Sequence, residues 1–499
     1  MRTYQVNESS FYIDEPYVKN NTFIGRTAEN EELPEYEKIK HLLPEPILDG
    51  YDSAIKCYDK VWSLAFKNIK KPFENSGFVT NFIDAAFNGA IFMWDTSFIL
   101  MFAKYGRLAF DFQKTLDNFY AKQHRDGFIC REIRESDGGD YFARHDPIST
   151  GPDIMGWCEW EYYISTGDEK RLSKVFDPLM AYHKWYMENR TWRDGSYWSS
   201  GWGCGMDNTP RLMEGYDVSF SHGHQVWIDT CFQQVLSAKC LVNMADVLKR
   251  SEETEFLKDE IKNLESIINN GLWDDETSFY YDKWRNGKLN GVMSVASYWG
   301  LVSGSVPDDR LERFISHLDN KNEFNRAHRV PSLSASDKNF VPSGGYWCGS
   351  VWAPTTYMIL KGLERCKKMR LAHEIGLNHL KNVAACFEET GTVWENYAPD
   401  TFGKNSSARG DFVGWTGLAP VAVLIEYVLG IKGNMKDKKI VWDVNLTCRH
   451  GIKKYPLTDG ETIDLYCEAR KSEDEKPVIT KSGADIDVFI NWKNGSFKI

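Results

Sequence analysis

The sequence predicts an all-α toroid of six helical hairpins, with a short N-terminal arm and a small β-rich C-terminal appendage. Three observations predict this fold. Twelve apolar segments recur with helical spacing, short turns alternate with long Gly-, Trp- and Pro-rich loops between them, and apolar residues take a period of two beyond residue 438. The predicted boundaries are 1–50 for the arm, 51–435 for the helical domain and 436–499 for the appendage.

The arm is polar and contains several Pro residues, which is typical of an extended segment. It has no apolar h-region, so no secretory signal is predicted, and the chain has no run of 18 apolar residues that would span a membrane. The eleven Cys are scattered without a C-x-x-C pair, as in proteins with reduced thiols. We therefore expect a cytoplasmic protein.

Each of the twelve apolar segments has the spacing of a buried helical face, as Phe232, Val235 and Leu236 illustrate. The predicted helices cover residues 54–70, 95–105, 109–123, 154–166, 171–189, 225–249, 253–270, 291–303, 308–318, 349–367, 370–387 and 412–429. No strict repeat is visible, which argues against a solenoid. Six hairpins closed into a ring would gather the long loops at one end.

The appendage alternates apolar and polar residues in "KIVWDVNLTC", "ETIDLYCEAR", "PVITKSG" and "DIDVFINW". A period of two is typical of half-buried strands. We therefore predict a small β structure after the helical domain.

Composition excludes two classes of partner. The net charge of −11 and the pI near 5.6 argue against nucleic acid, which requires a basic footprint, and against an anionic membrane surface. The aromatic content of 14%, with 18 Trp, suits binding sites for ring-shaped ligands. A small carbohydrate is the expected partner, and the oligomeric state stays open.

Five long loops combine Trp, Tyr or Phe with Gly and with a carboxylate or amide. They are "FNGAIFMWDTSF" (87–98), "HDPISTGPDIMGW" (145–157), "GWGCGMDNTPR" (201–211), "GGYWCGSVWAP" (344–354) and "VWENYAPDTFG" (393–403). Aromatic faces stack on sugar rings, and polar side chains bond the sugar hydroxyls. These loops are therefore the predicted sugar site.

Glycoside hydrolysis requires two carboxyl groups that flank the scissile bond. Asp207 stands among small residues and an indole, a setting that can desolvate it and raise its pKa. Its alternative role is a turn in which Asp207 and Asn208 bond their own backbone. Glu395 stands between Trp394 and an amide that can orient it; its alternative role is a carboxylate at a helix start.

Five motifs in this order resemble glycoside hydrolase family 63 and its trehalase relatives, particularly the mannosylglycerate hydrolase-like branch. They are "WDTSF" (94–98), "GMDNTPR" (205–211), "GGYWCGSVWAP" (344–354), "WENY" (394–397) and "FVGWTGLAP" (412–420). The resemblance covers roughly residues 50–430. It implies an (α/α)6 barrel that hydrolyses α-linked sugars with inversion and requires no cofactor or metal.

The resemblance also implies roles for individual residues. Asp207 is the expected general acid and Glu395 the expected general base, while Trp94 and Asp95 are expected to hold the −1 sugar. The other expected substrate-binding residues are Asn208, Arg211, Tyr346, Trp347, Trp352, Trp394 and Trp415. Asp95 has the alternative role of an N-cap, and Arg211 that of pairing with a neighbouring acidic side chain.

Two features depart from the family pattern. The family's Gln-Pro-Pro block is replaced here by "HDPISTGPD", so His145, Asp146 and Asp153 are expected to alter the subsite beyond the −1 sugar. The short arm has no counterpart of the large N-terminal β-domain of eukaryotic processing glucosidases, so a glycan-trimming role in the endomembrane system is not expected.

The roles of two histidines in "SHGH" stay open. His222 and His224 are spaced i, i+2, which is poor for a helical metal pair, and no metal is expected.

The expected function is that of an inverting, exo-acting α-glycosidase. Its expected substrates are small α-glucosyl or α-mannosyl saccharides or glycosides, including glycosyl-glycerates. The alternatives are a glycoside phosphorylase or a sugar epimerase on the same toroid, and a non-catalytic sugar-binding protein. A phosphorylase would replace the base Glu395 by a phosphate pocket, and an epimerase would rely on His222 and His224.

Overall fold

The computed structural model describes residues 13–29, 31–85, 88–411 and 414–499. Three predicted segments extend beyond these ranges. Residues 1–12 of the arm, Phe87 at the start of the first loop, and Phe412 and Val413 at the start of the last predicted helix lie outside the described residues.

The described part of the chain is rich in helix, and each predicted helix has a counterpart. The α-helices are α1 (Tyr36–Ile39), α2 (Asp52–Lys67), α3 (Met93–Ala103), α4 (Thr115–Ala121), α5 (Met155–Thr166), α6 (Glu169–Asn189), α7 (Ile228–Leu248), α8 (Glu255–Gly271), α9 (Trp299–Ser303), α10 (Asp308–Ser316), α11 (Ala353–Arg365) and α12 (Met369–Thr390). None of these described helices combines the length and the apolar character that crossing a bilayer requires.

Three predicted helices differ from the structure. The segment 109–123 becomes a 3-10 turn at Phe112–Lys114 followed by α4. The segment 291–303 becomes a 3-10 turn at Val295–Tyr298 followed by α9, because Gly291 has a left-handed φ of 69° and Ser294 caps the turn that follows. The last predicted helix is a 3-10 turn at Trp415–Leu418 that continues as a π-helix over Ala419–Val428. We call these two stretches the final helical segment.

Six helical elements pack in a closed cycle. The consecutive packing pairs are α3 with α5, α5 with α7, α7 with α9, α9 with α11, α11 with the final helical segment, and that segment with α3. All residues of α3 are buried, whereas α8, which packs outside α7, buries only Leu257, Leu264 and Ile268. The elements of the cycle are therefore the interior of the helical part.

The C-terminal region forms two four-stranded sheets. Their strand orders are β1 (Glu45–Leu48), β10 (His450–Pro456), β11 (Thr462–Cys467) and β12 (Ile479–Gly483) in one, and β14 (Gly495–Lys498), β13 (Asp487–Trp492), β9 (Lys439–Asp443) and β8 (Ile431–Asn434) in the other. Strand β1 belongs to the predicted arm and β8 to the predicted helical domain, yet both pair with appendage strands. The arm is not wholly extended, because it contains a 3-10 turn at Pro16–Asn20 and the helix α1. The boundaries at 50 and 435 stay predictions.

Three two-stranded sheets lie among the helices. They are β2 (Ile69–Lys70) with β3 (Phe82–Ile83), β4 (Ala90–Phe92) with β5 (Glu132–Arg134), and β6 (Trp273–Asp274) with β7 (Phe279–Tyr280). In the second of these, Phe92 pairs with Glu132, and the amide of Met93 donates to the Arg131 carbonyl at 2.8 Å. This pairing fixes where α3 begins.

Helices α9 and α11 approach closely at Gly362, and this contact can be tested. A Cβ added at Gly362 would stand 2.5 Å from Leu301 Cβ and 3.3 Å from the Val302 amide nitrogen. We expect Gly362→Ala to lower the free energy of unfolding by about 1–3 kcal/mol, because overpacking displaces the backbone of α9. The measurement is the urea midpoint of unfolding.

The matched control is Gly271→Ala at the end of α8, where an added Cβ would meet only Lys283 Nζ at 3.9 Å. That variant is expected to be as stable as the wild-type protein or slightly more stable, since Ala favours helix over Gly. Equal midpoints for the two variants would contradict the close contact.

Candidate active site

A cavity of about 270 Å³ lies where the Asp207 and Glu395 loops meet the start of α3. Four acidic residues line it, namely Asp95, Glu132, Asp207 and Glu395. Two guanidinium groups, those of Arg131 and Arg409, share the lining with them. The aromatic part of the lining is Phe92, Trp94, Tyr141, Phe142, Trp202, Tyr346, Trp347 and Trp415. The cavity is therefore acidic, aromatic and small.

Trp94 organises the aromatic wall from the first turn of α3. Its ring meets the ring of Trp415 edge-on at 5.5 Å and lies 6.3 Å from the ring of Trp347. Trp347 stacks on Trp352 with centroids 4.0 Å apart and planes at 2°. Trp352 itself has no exposed surface and does not line the cavity. Trp352 supports Trp347 from behind, and the role in substrate binding expected of it stays a prediction.

The loop between Val341 and Trp352 brings Tyr346 into the cavity through an unusual backbone. Gly344 and Gly345 have φ values of 123° and 85°, and Tyr346 follows with a left-handed φ of 62°. Non-Gly residues in this region carry strain, which proteins tend to keep at functional sites. Burial and the charges of the neighbouring carboxyl groups raise the pKa of the Tyr346 phenol, so it is a neutral hydroxyl at the cavity wall.

Asp207 lies in a loop that requires Gly. Gly205 has a φ of 78°, and a Cβ there would stand 2.9 Å from the Trp94 ring, so the loop can pass Trp94 only with Gly at this position. Burial raises the pKa of Asp207 to about 6, and the positive charge of Arg131 opposes that rise. The Asp207 carboxyl therefore holds a proton at higher pH than an ordinary aspartate.

Glu395 is buried, with 8% of its surface exposed. Two hydrogen bonds connect the loop that carries Glu395 to the segment around Arg409. The Glu395 amide donates to the Arg409 carbonyl at 3.0 Å, and the Arg409 amide donates to Glu395 Oε2 at 3.5 Å. Burial and the charge of Asp207 raise the pKa of Glu395, while Arg409 lowers it. The two predicted catalytic carboxyls thus line one cavity and interact electrostatically.

Asp95 lies in the first turn of α3 and is not its N-cap, because the N-cap position is Phe92. The alternative role as a cap is therefore wrong. Burial and the charges of Glu132 and Glu395 raise the pKa of Asp95 well above its usual range, and Arg131 opposes them. Asp95 can offer a protonated carboxyl to a ligand hydroxyl.

Three charged residues of the cavity were missed from the sequence, namely Arg131, Glu132 and Arg409. Arg131 and Glu132 form an ion pair, and the buried Glu132 belongs to β5. The signal in the sequence is "FICREI", where adjacent opposite charges interrupt an apolar strand. Charged side chains are seldom buried unless paired, so this pattern could have directed attention to the strand.

Asn208 lies outside the cavity lining and joins two loops. Its Nδ2 donates to the Gly345 carbonyl at 3.0 Å, its Oδ1 accepts from the Trp347 amide at 2.9 Å, and its carbonyl accepts from Cys348 Sγ. These contacts fix the Asp207 loop against the Tyr346 loop. The structure therefore gives Asn208 contacts with protein groups where contact with substrate was expected.

Arg211 is fully buried and does not reach the cavity. Its guanidinium is held by both carboxylate oxygens of Asp229 and of Asp282 at 2.6–2.9 Å, and it lies over the Trp227 ring. Arg211 thus has the pairing with neighbouring acidic groups that was its alternative role, and direct substrate binding by it stays a prediction.

Trp394 precedes Glu395 but does not line the cavity. Its indole Nε1 donates to Thr390 Oγ1 at 3.0 Å, and Lys404 Nζ lies 4.4 Å from the ring centroid. Trp394 therefore contacts Thr390 and Lys404, where contact with substrate was expected.

The residues with open roles also lie away from the cavity. His145 and Asp146 are exposed, and the buried Asp153 accepts from Ser237 Oγ at 2.8 Å. The rings of His222 and His224 lie 4.5 Å apart, and burial lowers the pKa of His222. In the described ranges, no group of three or more His, Cys, Asp or Glu could hold a metal ion.

The chain is similar to several known proteins. The profile of the mannosylglycerate hydrolase MGH1-like glycoside hydrolase domain matches residues 92–416. An uncharacterized protein of Borreliella burgdorferi is 25% identical over 382 residues, which cover 74% of this chain and 78% of that protein. A probable mannosyl-oligosaccharide glucosidase of Schizosaccharomyces pombe is 24% identical over 283 residues, covering 50% of this chain and 34% of that protein.

Among solved structures, the chain resembles the GH63 mannosylglycerate hydrolase from Thermus thermophilus in complex with glucose. The TM-score is 0.59 and the identity 21%, over 73% of this chain and 99% of that one. At this identity the likeness concerns the fold.

The buried Arg211 cluster generates a prediction about stability. The substitution Arg211→Met would leave the Asp229 and Asp282 carboxylates buried without their guanidinium partner. We expect the free energy of unfolding to fall by about 3–5 kcal/mol, as when one member of a buried ion pair is removed. Urea unfolding measures it.

Arg285→Met is the matched control, since Arg285 is exposed and donates to the Tyr216 hydroxyl. That variant is expected to unfold within about 0.5 kcal/mol of the wild-type protein, as surface substitutions do. Similar losses of unfolding free energy in both variants would contradict a larger contribution of the buried Arg211 cluster to stability.

Proposed function

Because the chain belongs to the mannosylglycerate hydrolase MGH1-like glycoside hydrolase family, and is thus a glycoside hydrolase, we propose that it is an inverting, exo-acting α-glycosidase. The proposed substrates are small α-glucosyl or α-mannosyl saccharides or glycosides, including glycosyl-glycerates. The observation that carries the proposal is that Asp207 and Glu395, from separate loops, line one small aromatic cavity with their pKa values raised by burial.

Asp207 is the proposed general acid. With its pKa raised to about 6, the carboxyl stays protonated in a range where an exposed aspartate is ionised. A carboxyl of this kind can give its proton to the glycosidic oxygen as the bond breaks. Trp202 and Trp94 line the cavity together with Asp207.

Glu395 is the proposed general base. The nearby Arg409 favours its ionised form, in which it can take a proton from a water molecule that attacks the anomeric carbon. In inverting enzymes that water approaches the face opposite the leaving group. The water oxygen forms the new bond, the glycosidic C–O bond breaks, and Asp207 protonates the departing oxygen.

The cavity supports a single terminal sugar as the proposed occupant. Its volume of about 270 Å³ lies just below the range of about 300–1,000 Å³ found for small-molecule sites. Trp94, Trp347 and Trp415 offer faces for a sugar ring, and Asp95 offers a polar partner for its hydroxyls. These contacts are the basis of the exo-acting proposal.

The helical scaffold supports the same assignment. We infer that the closed cycle of six helical elements is the inner ring of an (α/α)6 barrel, with α2, α4, α6, α8, α10 and α12 outside it. The likeness of the fold to that of the Thermus mannosylglycerate hydrolase supports this inference.

Two alternatives make different demands on the site. A phosphorylase would need a phosphate pocket in place of the base, whereas Glu395 is present in the lining. An epimerase would need histidine bases, whereas the described lining contains no histidine and His222 packs against Trp192 and Trp198. Neither alternative has an observation that favours it.

The substrate is tested with a panel of α-glucosides, α-mannosides and glycosyl-glycerates. Each is incubated with and without inorganic phosphate, and free sugar and sugar phosphate are quantified separately. Release of free sugar that is independent of phosphate supports hydrolysis, and sugar phosphate would support the phosphorylase alternative.

Conservative changes test the two carboxyls. We expect Asp207→Asn and Glu395→Gln each to lower turnover by about 10²–10⁴-fold, because each removes one proton transfer while preserving shape. Steady-state kinetics on the best substrate of the panel measures this, with circular dichroism to verify the fold. Asp217→Asn is the matched control: Asp217 is an exposed loop aspartate that caps nearby amides and lies outside the cavity. A variant with near-normal turnover would remove that residue from the mechanism.

The anomeric outcome tests the inverting route. Attack by water opposite an α-linked leaving group gives the β-anomer as the first product. Proton NMR during the first minutes, before mutarotation, measures it. An early α-anomer would instead require a carboxylate nucleophile, and Asp95 and Glu132 are the other carboxyls of the lining.

A further inference from the structure

We propose that Arg131 is a positioning residue of this site: its guanidinium anchors the loop that carries Asp207 and places a fixed positive charge beside the Asp207 carboxyl. The proposal deepens the proposed function and rests on it for the role of Asp207. No motif in the sequence pointed to this residue.

The first observation is a direct tie to the acid loop. Arg131 Nη1 donates to the Trp202 carbonyl at 2.7 Å. The same carbonyl accepts from the Gly205 amide at 3.2 Å, so it lies inside the turn that leads to Asp207. Arg131 therefore holds the turn at its centre.

The second observation is that Arg131 is itself held firmly. Its Nη2 pairs with Glu132 Oε1, and its guanidinium lies over the Phe142 ring at 5.1 Å. Its backbone amide donates to the Ser149 carbonyl at 2.9 Å. The planar guanidinium holds its N–H donors in a fixed arrangement and loses little conformational freedom when it binds. Through Arg131, the position of β5 therefore determines the position of the Asp207 loop.

The third observation is that Arg131 connects the acid loop to the sugar-binding helix. Its carbonyl accepts from the Met93 amide at the start of α3, the turn that presents Trp94 and Asp95. One residue thus sets the spacing between the Asp207 loop and the first turn of α3. A shift of about 1 Å in such spacing can cost on the order of 10²-fold in rate.

Charge gives Arg131 a second effect. Its positive charge lowers the pKa of Asp207, Asp95 and Glu132 relative to burial alone. The other ionisable groups that interact with Asp207 come from every element around it: Glu132 on β5, Glu395 in the base loop, Tyr346 in the glycine-rich loop and Cys204 in its own loop. Asp95 and Arg409 line the same cavity. Among these groups, the charge of Arg131 is the one that lowers the pKa of Asp207.

The pH dependence has a definite sign. Loss of the positive charge destabilises the Asp207 carboxylate, so the acid keeps its proton to higher pH. The alkaline limb of kcat/KM, which reports this proton, therefore moves up. A neighbouring opposite charge shifts a carboxyl pKa by about 1–3 units.

Three variants separate the charge from the anchor. We expect Arg131→Met to raise the alkaline limb by about 1 pH unit and to lower kcat at the optimum by on the order of 10²-fold. Arg131→Lys keeps the charge but loses the fork, so its alkaline limb stays at the wild-type position while its kcat falls. Arg134→Met is the matched control on the adjoining strand β5, because Arg134 binds Asp137 and the Asp140 carbonyl and does not line the cavity. It should change neither the limb nor kcat.

A readout without substrate distinguishes failure of this inference from failure of the proposed function. Carbon NMR of protein with labelled aspartate carboxyls follows the titration of Asp207, whose signal is assigned by its loss in Asp207→Asn. A higher pKa of Asp207 in Arg131→Met, and not in Arg131→Lys, supports the charge effect even if no glycoside is hydrolysed. An unchanged Asp207 titration in Arg131→Met, or equal shifts in Arg131→Met and Arg131→Lys, would overturn it. A wild-type kcat in Arg131→Lys would overturn the anchoring role.

Discussion

Burial of several carboxyl groups in one small aromatic cavity is the constraint on which the site depends. An ionised carboxylate is costly to remove from water unless positive charge or hydrogen-bond donors accompany it. Here the two guanidinium groups of Arg131 and Arg409 supply part of that compensation. The part of the burial cost that is not compensated raises the pKa values of the cavity carboxyl groups, so some of them carry protons. Differences among these groups are what allow one carboxyl to donate a proton and another to accept one.

The scaffold keeps these groups apart and oriented by fixing loops to one another. Asn208 ties the acid loop to the Tyr346 loop, and β5 ties it to the start of α3 through Arg131. The buried Arg211 cluster joins the end of the acid loop to Asp229 in α7. Loops positioned on a rigid framework are a usual location for catalytic residues, and this protein achieves the rigidity with polar contacts between loops.

Apolar spacing predicted the helix-rich fold, and motif order predicted that Asp207 and Glu395 belong to one site. They failed where position depends on long-range pairing. Arg211 stands four residues from Asp207, but its partners Asp229 and Asp282 are distant in the sequence, so its burial was invisible. Glu132 reached the cavity through the pairing of β4 with β5. The final helical segment is buried at every described residue, and its apolar spacing therefore could not distinguish an α-helix from a π-helix.

The pairing of β1 with β10 gives the chain an order of assembly. Strand β1 is synthesised before the helical region, whereas its antiparallel partner begins at His450, after that region. A growing chain must therefore complete the entire helical region before Glu45–Leu48 can form its ladder of hydrogen bonds, and until then that edge is unpaired. Non-local pairings of this kind slow folding and prolong the exposure of strand edges. During translation, Pro46 limits the pairing of this unpaired edge with other chains, because an edge that lacks an amide donor is a poor template for a foreign strand.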